Sequence, residues 1–296
     1  MFSPVRDRKE VIIMTKEFLI KVARAVYGNA KKITKKILNT VKDCINHLKA
    51  KLGIPVIKLE YCRPRCHIST SNIKTDIPSW STYPGDDIIT LKDGRKVSDY
   101  TGTCSAADCE SCKNWHSCYA IRMLRYPAVA KGYIENTMFL REDINGLEKE
   151  LVKQISKLNT DLFRFDVSGE IETFEQLIMF LSVAYQQPEK IFYVYTKNYD
   201  AVNRYFETGC ELPGNFHILI SIWHSAGTDC FKKHMNHNNV HCFIYNDGFN
   251  YNRYGLELLS NCQCKAYNEK GKLNHDITCR KCKKCWTKKI IWTFPH

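Results

Sequence analysis

No run in this chain approaches the roughly 18 to 20 apolar residues that cross a bilayer as a helix. The longest, such as FHILISIW at 216–223, are about eight residues long and read as buried strands. The opening residues, MFSPVRDRKEVIIM, lack the charged start, apolar stretch and small-residue cleavage site of a secretory signal, so a cytoplasmic protein with reduced thiols is expected. G-x-S-x-G, G-x4-G-K-[ST] and G-x-G-x-x-G are all absent, which removes the usual support for hydrolase, nucleoside-triphosphatase and dinucleotide readings. His217, His224, His234, His237 and His241 lie between two strand-like runs, but no Glu completes an H-E-x-x-H helix, so they are expected as solvated side chains. No repeat of fixed period is present.

What the chain has is enough apolar residue for a core, 44% of 296, and a net charge of +13 gathered at its ends. Residues 1–60 carry 14 Lys and Arg against 5 Asp and Glu, and residues 261–296 carry 9 against 2, which leaves the middle about neutral. Basic ends of this kind attract phosphate, and so nucleic acid or an anionic membrane surface; the plainer reading is a solvated lysine face. Residues 15–52 place Leu19, Val22, Val26, Ile33, Ile37, Val41, Ile45 and Leu48 at helical spacing. This predicts an amphipathic helix, breakable at Gly28, whose apolar stripe needs a surface such as the core to dock on. Residues 61–103, rich in Ser, Thr, Pro, Asp and Gly, read as loop with one or two short strands. From 161 the runs LFRFDVS, KIFYVYTK, FHILISIW and VHCFIYN alternate with helical stretches, which predicts an α/β fold with a parallel sheet.

The chain holds 15 Cys, and nine of them fall in two clusters. Reduced thiols at that density point to metal. The first set is Cys104, Cys109, Cys112 and Cys118, at C-x4-C-x2-C-x5-C before a helix-like segment at 120–140. Its irregular loop spacing favours an iron–sulfur cluster, with zinc as the alternative. The second set is Cys279, Cys282 and Cys285, at C-x2-C-x2-C, completed by Cys264 or its neighbour Cys262. It fits an iron–sulfur cluster or structural zinc. Cys62 and Cys66 are weaker ligand candidates with His67, and Cys210, Cys230 and Cys242 are isolated. A third feature is FRFDVSGEIETFEQL, where Ser168, Gly169 and Glu170 end a strand before a helix that Thr173 can cap. Ligands gather beyond the carboxyl ends of parallel strands, which places Asp166 and Glu170 to meet one. Arg122, Arg125, Arg164, Lys197 and Trp223 are further candidates to line a pocket.

The order of a Cys-rich loop with CYA, then SGE after a strand, then YTK after the next, resembles the phage and plasmid family called gene product eighty-eight. The residues that carry the resemblance are Cys104, Cys112, Cys118, Tyr119, Ala120, Asn136, Arg164, Ser168, Gly169, Glu170, Tyr195, Thr196, Lys197, Cys279, Cys282, Cys285 and Trp286. More distantly, the layout is similar to radical S-adenosylmethionine enzymes. That likeness implies a partial, open parallel β/α barrel, with Cys104, Cys109 and Cys112 leaving one iron open. It also implies S-adenosylmethionine held by Tyr119, Ser168, Gly169 and Glu170. The expected organisation is a basic helical extension at 1–60, an α/β core at 61–260 with the first Cys set, and a Cys-rich segment at 261–296. The expected function is an iron–sulfur enzyme carrying two four-iron clusters and acting on a substrate the residues do not name, supplied by an electron donor, in a host cytoplasm if phage-encoded. The alternatives are a zinc- or cluster-stabilised nucleic-acid-binding protein and an iron–sulfur electron carrier.

Overall fold

A computed structural model describes residues 35–70, 76–107, 118–222, 227–246, 248, 250–266, 274 and 276–293. The chain divides into two compact units, one of residues 1–54 with 93–95 and one of residues 55–92 with 96–296. The described part of the first is mainly helix α1 (Lys35–Lys51), with Lys49 and Lys51 in its last turn, where cations suit the helix dipole. Val41 and Leu48 of its apolar stripe are 43% and 44% exposed. Residues 15–34 of the expected helix, with the break at Gly28, lie outside the described residues.

The second unit is built on a seven-stranded sheet in chain order: β1 (Ile68–Ser69), β2 (Ser79–Trp80), β3 (Leu162–Phe165), β4 (Ile191–Thr196), β5 (Phe216–Ile222), β6 (Val240–Tyr245) and β7 (Ile290–Thr293). Only β1 is antiparallel to its neighbour; the five pairs from β2 to β7 are parallel. Helices α2 (Tyr119–Met123), α3 (Pro127–Glu142) and α4 (Ile144–Ser156) precede β3. Then α5 (Phe174–Tyr185), α6 (Tyr199–Glu207) and α7 (Thr228–His234) connect β3 to β6 in turn. The two short strands at 61–103 and the alternating series from 161 agree with the sequence reading. The helix expected at 120–140 is two, because Pro127 takes the first position of α3 and Tyr126 before it is extended, at φ −96° and ψ 108°. β7 and α4 were not anticipated.

Period-two alternation sorts the strands between two environments. Phe163, Phe165, Phe192, Val194, Ile218, Ile220, Cys242 and Ile244 share a core with Leu147 and Leu151 of α4, Leu177 and Phe180 of α5, Val202 of α6 and Phe231 of α7. Phe165 stacks between Phe180 and Phe192 at centroid distances of 4.0 and 5.8 Å. The helices thus cover one face. Residues of the other parity, Leu162, Tyr193, Leu219 and Ile291, form a separate core with Ile77, Cys285 and Trp286. The segment around Cys279–Trp286 therefore covers the second face, with the Trp286 ring 5.2 Å from Tyr193.

Near the amino ends of the strands, His217 and His241 contradict the expectation of solvated histidines. They are 9% and 3% exposed and bonded to each other, His217 Nδ1 to His241 Nε2, at 3.0 Å. His241 Nδ1 donates to the Lys288 carbonyl at 2.7 Å, which leaves Nε2 to accept from His217, so the chain of bonds needs the His241 ring neutral. Burial, then the neighbouring His241 and Lys289, pushes His217 down to about 4. Burial does the same for His241, with Lys289 adding and the Lys288 carbonyl opposing. His234 is buried as well, on Asn203, and with His237 stacks on Phe206. His224 lies outside the described residues.

Because the folded pKa of the pair lies below the unfolded value of about 6.5, the unfolded chain binds more protons between these limits. Stability should then fall as pH drops from about 6.5 to 4, by up to about 1.4 kcal/mol per pH unit for each histidine. Urea melts of His217→Gln/His241→Gln against the parent should give a flatter curve in that window. Parallel curves would remove the pair as the cause.

Candidate functional site

The parity that points Leu162, Tyr193 and Leu219 into the lower core points the residues further along each strand into a cavity of about 210 Å³. Arg164 of β3, Tyr195 of β4, Ser221 of β5, Phe243 and Tyr245 of β6 and Thr293 of β7 border it. Register ties these positions together, with Ser221 beside Phe243 and Tyr245 beside Thr293. The cavity therefore lies at the carboxyl ends of the parallel strands. Cys104, Cys118 and Tyr119 border it on one side and Cys264, Cys279 and Cys285 on another, so described members of both cysteine sets share its wall. Cys109 and Cys112 lie outside the described residues, as does Trp223. Arg122 and Lys197 border the cavity, whereas exposed Arg125 lies over the Tyr126 ring instead.

The segment Asp166–Glu170 is fixed from several sides. The Glu170 carboxylate is buried and accepts from Ile171 N at 2.9 Å, Thr196 Oγ1 at 2.6 Å and Lys197 N at 2.8 Å, which joins the ends of β3 and β4. Its own N–H donates to Thr103 Oγ1 at 2.9 Å, one residue before Cys104. Asp166, left-handed at φ 46°, accepts from Thr82 Oγ1 at 3.1 Å and Gln176 Nε2 at 3.0 Å. Burial raises the pKa of both carboxyls; for Asp166 the Glu170 charge adds to the rise, and for Glu170 Lys197 opposes it. Both acids border the cavity, and their oxygens are also engaged within the protein, because Thr82 and Thr196 arrive from other segments. The Ser168 hydroxyl and the Gly169 backbone belong to the same wall. Ser168 Oγ is buried without a hydrogen bond of ordinary geometry, although the Tyr133 phenol is close enough to feel it. Tyr119 reaches the same segment by donating its hydroxyl to the Val167 carbonyl.

Cys264, Cys279, Cys282 and Cys285 line a second, smaller cavity next to the first, with Ile277, Thr278 and Ile291. The Cys285 thiol is pushed up by burial and then by Cys279, Cys264 and Cys282, with the Tyr195 hydroxyl, at 2.8 Å, opposing. Cys285 is buried and Cys264, Cys279 and Cys282 half-buried around one small space, where thiolates would repel and a bound cation would relieve that repulsion. Cys262 packs in the helix-side core and donates to Asn261 Oδ1, so Cys264 is the fourth member. An all-sulfur set suits zinc or an iron–sulfur cluster. The space, about 10 Å³, is that of one water and suits a single ion. Yet among the described residues no three His, Cys, Asp or Glu side chains already stand at the spacing one ion imposes. The donor chemistry fits metal.

Cys62 and Cys66 are buried in different cores, and His67 pairs with Glu135 at 2.7 Å, so these three form no joint site. Burial, then Glu150, pushes Cys66 up to about 12. Cys230 and Cys242 are buried and Cys210 is exposed.

A family model described as Gene product 88 matches residues 60–288. The chain belongs to the gene product 88 family. No curated protein and no solved structure matches it. The gene product 88 region takes in both cysteine sets and the strand-end segment, and leaves out α1 and β7. Of the residues that carried the resemblance, Asn136 has a structural task. Buried on α3, it accepts from His67 N at 2.6 Å and donates to the His67 and Ser81 carbonyls at 3.0 and 2.7 Å. Ser221, Phe243, Tyr245 and Thr293 of the cavity wall went unread because runs apolar on both faces do not reveal which parity faces a ligand.

Gly169 is left-handed at φ 83°, and a Cβ there would overlap Thr82 Oγ1 and stand 2.8 Å from Thr103 Oγ1. Gly169→Ala should destabilise by about 1–3 kcal/mol or more in urea melts, and adding Thr82→Ala should recover part of the loss. Strictly additive effects would remove the contact as the reason for glycine.

Proposed function

We propose that this gene product 88 protein is an iron–sulfur enzyme of the radical S-adenosylmethionine-like kind, with its chemistry in the strand-end cavity. The observation that carries the reading is that described cysteines of both sets border that one cavity. Cys264, Cys279, Cys282 and Cys285 would hold one cluster, and Cys104 and Cys118, with Cys109 and Cys112, the other. Such clusters supply electrons one at a time when bound. Tyr119, the Ser168 hydroxyl and the Gly169 backbone are the groups proposed to position S-adenosylmethionine; Glu170 holds the strand ends in place. The curvature of a partial barrel is supported by β3 and β7, which in a flat sheet stand about 19 Å apart. Arg164 and Thr293 from these two strands nevertheless border the same 210 Å³ cavity.

The small size of the four-cysteine cavity favours a second reading for that set, a structural zinc ion. Metal and acid-labile sulfide analysis of anaerobically purified protein separates the two. The enzyme reading expects about eight iron with matching sulfide, and a paramagnetic resonance signal altered by S-adenosylmethionine. Cys282→Ser should lose about half the iron, and exposed Cys210→Ser none. Zinc without sulfide would end the iron–sulfur reading, and iron with no response to the cofactor would end the cofactor reading alone.

A further inference from the structure

Two polar groups on the wall of the strand-end cavity are buried atoms without a hydrogen-bond partner: Arg164 Nε and Thr293 Oγ1. Thr293 is 1% exposed. Buried polar atoms are nearly always satisfied, so two orphans on the wall of one space call for a ligand with acceptor atoms. Arg164 is the telling member. No described carboxylate stands within ion-pair distance of it, although Asp166 feels its charge; Asp166 and Glu170 bond Thr82, Gln176, Thr196 and backbone N–H groups. Its guanidinium lies 4.4 Å from the Tyr195 ring and 6.0 Å from the Tyr193 ring, which stabilise a cation but accept no in-plane bond. Arg122 and Lys197 add positive charge to the same wall. A planar fork held in this way matches the two oxygens of a carboxylate or phosphate.

We propose that the cavity binds a small organic anion through a carboxylate or phosphate group, anchored by Arg164, with the Thr293 hydroxyl as a further donor. The volume, about 210 Å³, admits a small molecule and no folded partner. This assignment does not depend on which metal the cysteines hold. The competing role for Arg164 is neutralising the thiolate of Cys279, which also faces it.

The test is the melting temperature of the full-length protein in chloride buffer at fixed ionic strength, titrated with inorganic phosphate or with succinate, alongside metal content. A saturable rise is expected with one of the two anions, and which one names the group. Arg164→Met should lose the response, because the anchoring guanidinium is gone. Arg164→Lys, which keeps the charge without the fork, should need at least tenfold more anion, and this comparison stands if Arg164→Met fails to fold. No rise with either anion in the parent protein, or an equal rise in the Arg164 variants, overturns the proposal. So does an Arg164→Met protein that loses metal and keeps its anion response, since Arg164 then serves Cys279.

Discussion

The Glu170 carboxylate is the constraint on which the site depends. Removed from water, it is kept by three donors, from Ile171, Thr196 and Lys197, so the ends of β3 and β4 cannot separate without leaving a charge unsatisfied. Its N–H draws in Thr103, and with Thr103 comes Cys104. Gly169 lets Thr82 close in from the other side, and Thr82 passes the connection on to Asp166. One buried acid thereby sets the distance between the first cysteine segment and the strand ends.

On the other side, the last part of the chain performs the matching task. β7 adds a strand beside β6, and the segment before it lays Cys279, Cys285 and Trp286 across the face the helices leave bare. Tyr195 links the two halves, its ring on Arg164 and its hydroxyl on Cys285. The cysteines, the Arg164 cation and the strand-end loop are therefore neighbours because of the parity of the strands rather than because of any local motif.

Much of this was legible in the residues, and the failures have physical causes. Aromatic and β-branched runs marked β3 to β6, and cysteine spacing marked the four-thiol set down to its fourth member, where only burial separates Cys264 from Cys262. β7 was hidden because IIWT is four residues long behind a lysine-rich stretch. The helix at 120–140 was read through Pro127, which starts a new one. The histidines were misjudged because a lone His carries no sign of burial, and only the pairing of β5 with β6 brings His217 against His241. Asp166 and Glu170 do border the cavity, but their bonds to Thr82 and Thr196 could not be read, because no local pattern connects those threonines to them.

The central claim is that both cysteine sets and Arg164 serve one space at the strand ends. Anomalous diffraction at the iron and zinc edges from anaerobically grown crystals of the full chain addresses it directly. Metal density is expected among Cys264, Cys279, Cys282 and Cys285, with a second peak beside Cys104 and Cys118 and the Arg164 cavity between them. Metal-free cysteines, or peaks that open onto separate surfaces, would contradict it.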